Sequence, residues 1–177
     1  LAVGALSLAA CGSGSDSADE SGLGLVNDGT LTVCSNLPFQ PFEYVDDNGE
    51  YAGFDMDLSR EIAAGMGLDW ELQNVGFDGL QSGTVLAAGQ CDLIAAAVTI
   101  TPEREDKLAF SDPYYDSLQS LLVPEGSSVK SLEDLAGKKV GVQQGTTGEA
   151  YATENAEGAE IVQYPSDGEL WPAMQAG

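Results

Sequence analysis

Apolar positions along this chain fall into two kinds of pattern. Some form continuous runs of strand length bounded by turn residues, and others recur at three- and four-residue spacing. The first kind reads as strands buried on both faces of a parallel sheet, the second as amphipathic helices. Residues 31–36 predict a strand that runs into a loop fixed by Pro38 and Pro41. After a turn at Asp46-Asp47-Asn48-Gly49, a helix is expected, capped by Asp55, with Leu58, Ile62, Ala63 and Met66 on one face and an end near Gly65 or Gly67. Residues 69–75 predict a strand, Phe77 to Gly89 a helix, and Asp92 to Val98 a further strand. Residues 119–123 read as one more strand, and then the same grammar restarts. Ser131-Leu132-Glu133-Asp134 resembles a capping box before a short helix. Strands over 138–142 and 159–164 follow, with helices opening near Thr147 and Ser166. Strand and helix alternate throughout, which implies an α/β fold with parallel pairing through right-handed crossovers. The chain stops at Gly177, where another strand is due, so the expectation is a fragment.

The stretch Asp92-Leu-Ile-Ala-Ala-Ala-Val-Thr-Ile-Thr-Pro-Glu-Arg104 carries the most chemistry. Thr101, Pro102 and Glu103 read as helix cap, first helical position and acidic first turn. A buried strand therefore ends by presenting Thr99, free backbone N–H groups and the Arg104 guanidinium. The carboxyl ends of parallel strands are where open α/β sheets bind ligands. A guanidinium beside helix-start amides forms a fork for a carboxylate. The competing reading is a surface ion pair between Arg104 and Glu103, Glu105 or Asp106.

Charge narrows the field. With 29 acidic and 6 basic residues the net charge is −23, so the basic footprint needed for nucleic acid is missing. The acidity otherwise reads as a heavily solvated surface of the kind suited to high salt. The chain has no histidine, which removes Ser-His-Asp and Cys-His triads and histidine metal sites. No cofactor and no metal are expected, and the carboxylates, Asp55 and Asp57 included, read as caps and turns and not as acid–base catalysts.

Residues 1–10 look like the tail of a secretory signal peptide, too short to span a membrane. Leu8-Ala9-Ala10-Cys11 resembles the bacterial lipobox, whose cysteine is lipid-modified, and the Gly/Ser/Asp-rich residues up to about 28 would be a flexible tether. That places the protein outside the cytoplasm, anchored to the outer face of the membrane or periplasmic. An oxidising compartment permits a Cys34–Cys91 disulfide, but the two sit at different heights on their strands, so buried free thiols remain the alternative.

Four passages resemble the extracytoplasmic solute-binding proteins of amino-acid ABC transporters: Gly53-Phe-Asp-Met-Asp-Leu58, Ile100-Thr-Pro-Glu-Arg104, Phe110-Ser-Asp-Pro-Tyr-Tyr115 and Val140-Gly-Val-Gln-Gln-Gly-Thr-Thr147. The resemblance implies a type II periplasmic-binding-protein-like fold, in which two α/β lobes joined by hinge strands close on the ligand. It assigns residues 29–118 to the first lobe, 119–124 to a hinge crossover and 125–177 to an incomplete second lobe. By the same likeness Arg104 clamps the α-carboxylate, with Thr99 beside it, and the Ala97 backbone faces the α-amino group. Thr146 and Thr147 close from the second lobe, Phe39 and Phe77 sandwich the side chain, and Gln143 touches it. Asn36 stands where binders of basic and glutamine-type ligands usually carry aspartate, which implies a polar, non-basic amino acid. The implied partners are that amino acid and a transporter permease, with the protein acting as a monomer and not as an enzyme. A sensory receptor module, or a dehydratase on the same scaffold, are the rival readings.

Overall fold

The computed structural model describes residues 22–177. The signal-peptide remnant and Cys11 lie outside the described residues. The first α/β unit is built on strand β1 (Thr30–Ser35), flanked in parallel by β4 (Asp69–Asn74) and β5 (Leu93–Ile94) in the order β4-β1-β5. As expected for a central parallel strand, β1 is buried on both faces. Leu31 and Val33 pack with Ala63 of helix α1 (Phe54–Met66) on one side. Cys34 packs on the other side with Phe77 and Leu80 of α2 (Phe77–Gln81) and Val85 of α3 (Thr84–Ala87). A short antiparallel hairpin, β2 (Tyr44–Val45) with β3 (Tyr51–Ala52), turns at Asp46, whose carboxylate accepts from the Asn48 and Glu50 N–H groups.

The second unit pairs β6 (Lys139–Gln143) in parallel with β7 (Glu160–Tyr164), and α5 (Thr147–Asn155) and α6 (Asp167–Gln175) pack against them. Its core is Val129, Leu135, Val140, Val142 and Ala156. The Ser131–Asp134 box becomes a single 3₁₀ turn at Glu133–Leu135, with the Asp134 carboxylate accepting from the Ser131 N–H.

Several local expectations are corrected. Helix α1 is capped by Gly53, and Asp55 turns inward to bond the Ala97 N–H. Its buried face is Met56, Ser59 and Ala63, while Ile62 and Met66 are exposed. Ser59 accounts for the shift, because its hydroxyl accepts from the Trp70 indole across the α1–β4 contact. The single helix expected from Phe77 to Gly89 breaks at Gly83, whose φ of 74° is left-handed. Strand β5 ends at Ile94, well short of Val98. Residues 119–123 form no strand, since among the described residues no second strand lies alongside to pair with them.

The open question of the two cysteines is settled by a Cys34–Cys91 disulfide with Cα atoms 5.7 Å apart. The height argument misjudged Cys91, which lies in the loop climbing into β5. The next residue's N–H already bonds Thr32 O, so this loop runs beside β1. Because the bridge closes 57 residues of chain, its removal in a Cys34→Ser, Cys91→Ser variant should cost on the order of 2–4 kcal/mol in denaturant unfolding.

Candidate functional site

Between the two units lies an open cleft of about 1150 Å³, and all nine residues singled out from the sequence border it. Its geometry starts from the early end of β5. Ala97 adopts φ 44°, a left-handed conformation rare for a residue with a Cβ, and its N–H bonds the Asp55 carboxylate at 2.6 Å instead of continuing a ladder. The same carboxylate oxygen accepts from the Tyr114 hydroxyl at 3.0 Å. The chain is thus turned out of the sheet and redirected through Thr99 into α4 (Pro102–Glu105). What Ala97 can offer a ligand is its carbonyl oxygen.

Thr101 caps α4 with Pro102 behind it, as the pattern predicted, and this sets Arg104 on the inner side of the turn. Arg104 is only 6% exposed. Its guanidinium donates from Nη1 to Thr99 O at 2.9 Å and from Nη2 to Gly145 O at 3.0 Å, and lies 5.5 Å over the Phe77 ring. The surface ion-pair reading fails: among the described residues Glu103 pairs with Lys107, and Arg104 has no carboxylate partner. Burial draws its pKa down from the ordinary value while the Glu103 charge acts the other way. A guanidinium stays charged through such a shift and carries five N–H donors. Two are used on backbone carbonyls, and the other three have no hydrogen-bond partner among the described residues.

The second unit meets Arg104 with the loop before α5. Thr146 caps that helix, accepting from the Glu149 N–H, and the Glu149 carboxylate accepts in turn from the Gly145 N–H. The Thr147 hydroxyl lies 3.5 Å from that of Thr99 and accepts from Gln119. Gly145 has φ 78°, a left-handed backbone that favours glycine, and a Cβ there would meet the Gln81 amide of α2 at 2.6 Å. Gln143 donates to Asn36 Oδ1 at 2.8 Å, and Asn36 donates to Val75 O at 2.7 Å. Phe77 belongs to the core as well as to the cleft, while Phe39 is half-buried and stacks on Phe42.

Sequence reasoning missed the acidic residues of this region. Glu43 is 1% exposed, and its Oε2 is buried without a hydrogen-bond partner. Burial first, then the Asp55 and Asp167 charges, push its pKa up to about 9. Burial likewise raises Asp55 and Asp167, and Glu43 and Asp167 both border the cleft. The available signal was one acid set inside Phe42-Glu43-Tyr44-Val45, between apolar neighbours.

Fold and site together define a ligand-binding protein of the two-lobed periplasmic type. Residues 31–170 match the bacterial extracellular solute-binding proteins, family 3, and the chain belongs to that family. With the family goes an extracytoplasmic location. The chain is 40% identical to the probable histidine-binding protein of Neisseria gonorrhoeae, over 84% of this chain and 54% of that protein, so it spans about half the length of that relative. Among solved structures, an ancestral arginine-binding protein bound to arginine superposes with a TM-score of 0.79 at 39% identity, covering 84% of this chain and 66% of that one. The ancestral amino acid-binding protein AncCDT-1, described as a precursor of cyclohexadienyl dehydratase, gives 0.79 at 37% identity over 84% and 66%.

Glu43 gives this site a signature in stability. Its carboxyl is protonated in the fold up to about pH 9 but ionises from about 4.5 once unfolded, so the folded state binds more protons between those values. Its contribution therefore falls as pH rises through that window, by up to about 1.4 kcal/mol per pH unit. Thermal unfolding without added ligand should show Glu43→Gln gaining on the wild type from pH 5 to pH 8. Parallel curves would mean that Glu43 ionises freely in the fold.

Proposed function

We propose that this chain captures a free amino acid between its two units and delivers it to the permease of an ABC transporter. The observation that carries the reading is Arg104, a buried guanidinium with three spare donors at the edge of a cleft. A bidentate pair with an α-carboxylate would supply energy and orientation together. Thr99, Thr146 and Thr147 surround that position with hydroxyls, and the Ala97 carbonyl is the acceptor available to an α-amino group. Phe39 and Phe77 give the side chain apolar walls, with Asn36 and Gln143 beside them. Residues 29–118 and 125–177 serve as the two jaws, and 119–124 as the crossover about which they close.

Cys11 would carry the lipid that holds this otherwise monomeric protein at the membrane, with residues up to about 28 as the tether. Among the described residues no helix is long and apolar enough to cross a membrane. The similar proteins named above are binding proteins, which favours capture over turnover. The restriction to a polar, non-basic ligand rested on Asn36 alone, and the histidine- and arginine-binding relatives lend it no support. The Asn36 amide is already engaged by Gln143 and Val75, so its lack of charge does not decide the ligand's class.

A thermal-shift screen of the twenty amino acids on the full-length protein should find at least one that stabilises it. For that ligand, Arg104→Ala should weaken calorimetric binding by at least about thirtyfold, since losing one partner of a buried charge pair costs about 2–5 kcal/mol. An unchanged dissociation constant would remove the clamp. Separately, Cys11→Ala in the complete precursor should release the protein from membranes, and continued membrane association would refute the lipid anchor.

A further inference from the structure

Glu149 stands close to the clamp without pairing with it. As the third residue of α5 it has the place of the acid in a capping box, and half of that box forms: the Thr146 hydroxyl accepts from the Glu149 N–H at 3.1 Å. The other half is displaced. In a regular box the acid accepts from the N–H of the capping residue, which here is Thr146. That N–H instead reaches Gln143 O, and Glu149 Oε2 accepts from the Gly145 N–H, one residue further back, at 2.6 Å. Its Oε1 accepts from the Gln163 amide of β7. Both carboxylate oxygens are thus engaged within the second unit. Glu149 and Arg104 border a common recess of about 750 Å³, yet no ion pair joins them among the described residues.

Gly145 lies between the two. Its N–H goes to Glu149, and its carbonyl accepts from Arg104 Nη2 at 3.0 Å. At φ 78° and without a Cβ, this residue has a wide choice of backbone directions, so the aim of its carbonyl needs an outside restraint. A carboxylate accepting from the N–H of the same residue is a strong one. The line of contacts runs from β7 through Gln163, Glu149 and Gly145 to Nη2 of Arg104, then from Nη1 to Thr99 O in the first unit. A carboxylate set directly on Arg104 would compete with any incoming anion, whereas one acting through a carbonyl orients the guanidinium and leaves its charge available. We propose that Glu149 is a positioning residue for ligand capture: through Gly145 it aims the carbonyl that holds Arg104, and so sets the guanidinium for a ligand carboxylate. The inference rests on the amino-acid reading and adds to it a residue that acts through another.

Two measurements on the full-length protein test this role. The first needs no ligand. Nitrogen-15 NMR should resolve separate Arg104 Nη signals in the wild type, where the guanidinium is held, and they should merge in Glu149→Ala as its rotation is freed. The second is a double-mutant cycle by calorimetry, with L-arginine first and, if it does not bind, the amino acid that the thermal-shift screen identifies. Glu149→Ala should weaken binding by about tenfold where Arg104 is present, the order of a hydrogen bond to a charged group. In the Arg104→Ala background the same change should matter by less than about twofold, because the two residues act as one unit. Glu149→Gln keeps an acceptor for the Gly145 N–H and should recover most of the loss. A part in folding alone would weaken binding by the same factor in both backgrounds. Gln163→Ala, at an exposed position, should weaken binding by about threefold, and it replaces Glu149→Ala if circular dichroism shows that variant unfolded. Equal factors in the two backgrounds, an unchanged affinity in Glu149→Ala, or a freely rotating Arg104 in the wild type would overturn the positioning role. If none of the twenty amino acids binds, the capture reading falls, and merging or persistence of the Arg104 signals in Glu149→Ala upholds or overturns the positioning role alone.

Discussion

Everything in the cleft depends on keeping one guanidinium buried away from carboxylates in a chain rich in them. Arg104 achieves this through backbone dipoles: carbonyls from Thr99 and Gly145 hold its Nη atoms, and the Phe77 ring covers one face. Carbonyl acceptors satisfy donors without neutralising the charge. The positive field therefore stays available to something that enters from outside, and the neighbouring acids are kept off it by the turn of α4, which sends Glu103 outward to Lys107.

The scaffolding for that arrangement is a chain of small departures from regular structure. Strand β5 stops early because Asp55 takes the Ala97 amide, and that early stop brings Thr99 and α4 over the cleft. Gly145, in a backbone shape that favours glycine, lets the second unit come close enough for its carbonyl to reach Arg104. Asn36 with Gln143, and Thr99 with Thr147, add direct contacts between the units.

Much of the fold was legible in the sequence because it depends on periodicity. The strand–helix alternation of the first unit with its parallel pairing, the second strand–helix unit and the Thr101–Pro102 cap follow from apolar runs and capping chemistry, whereas the order β4-β1-β5 does not. What was not legible came from partners far away in the chain. Asp55 has the composition of a helix cap, and only the approach of Ala97, 42 residues later, turns it inward. Cys91 looked too low to meet Cys34 because the loop before β5 was not expected to run beside β1. Glu43 was passed over since an acid between apolar neighbours fits a hairpin edge as well as a buried wall, and only its distant packing tells the two apart. The nine cleft residues were found mainly through the likeness of four short passages to a known family; Arg104 and Thr99 alone followed from the chemistry of a strand end.

The corner at Ala97 has a cost that belongs to the protein as a whole. A non-glycine residue at φ 44° stores roughly 1–3 kcal/mol, a sizeable share of the margin by which a domain of this kind stays folded. Glycine would relieve that strain but would admit many more backbone directions at the point where the chain leaves the sheet. A β-branched residue could scarcely adopt the shape at all. Alanine is thus the compromise at this corner, giving up some global stability so that a single peptide unit points one way.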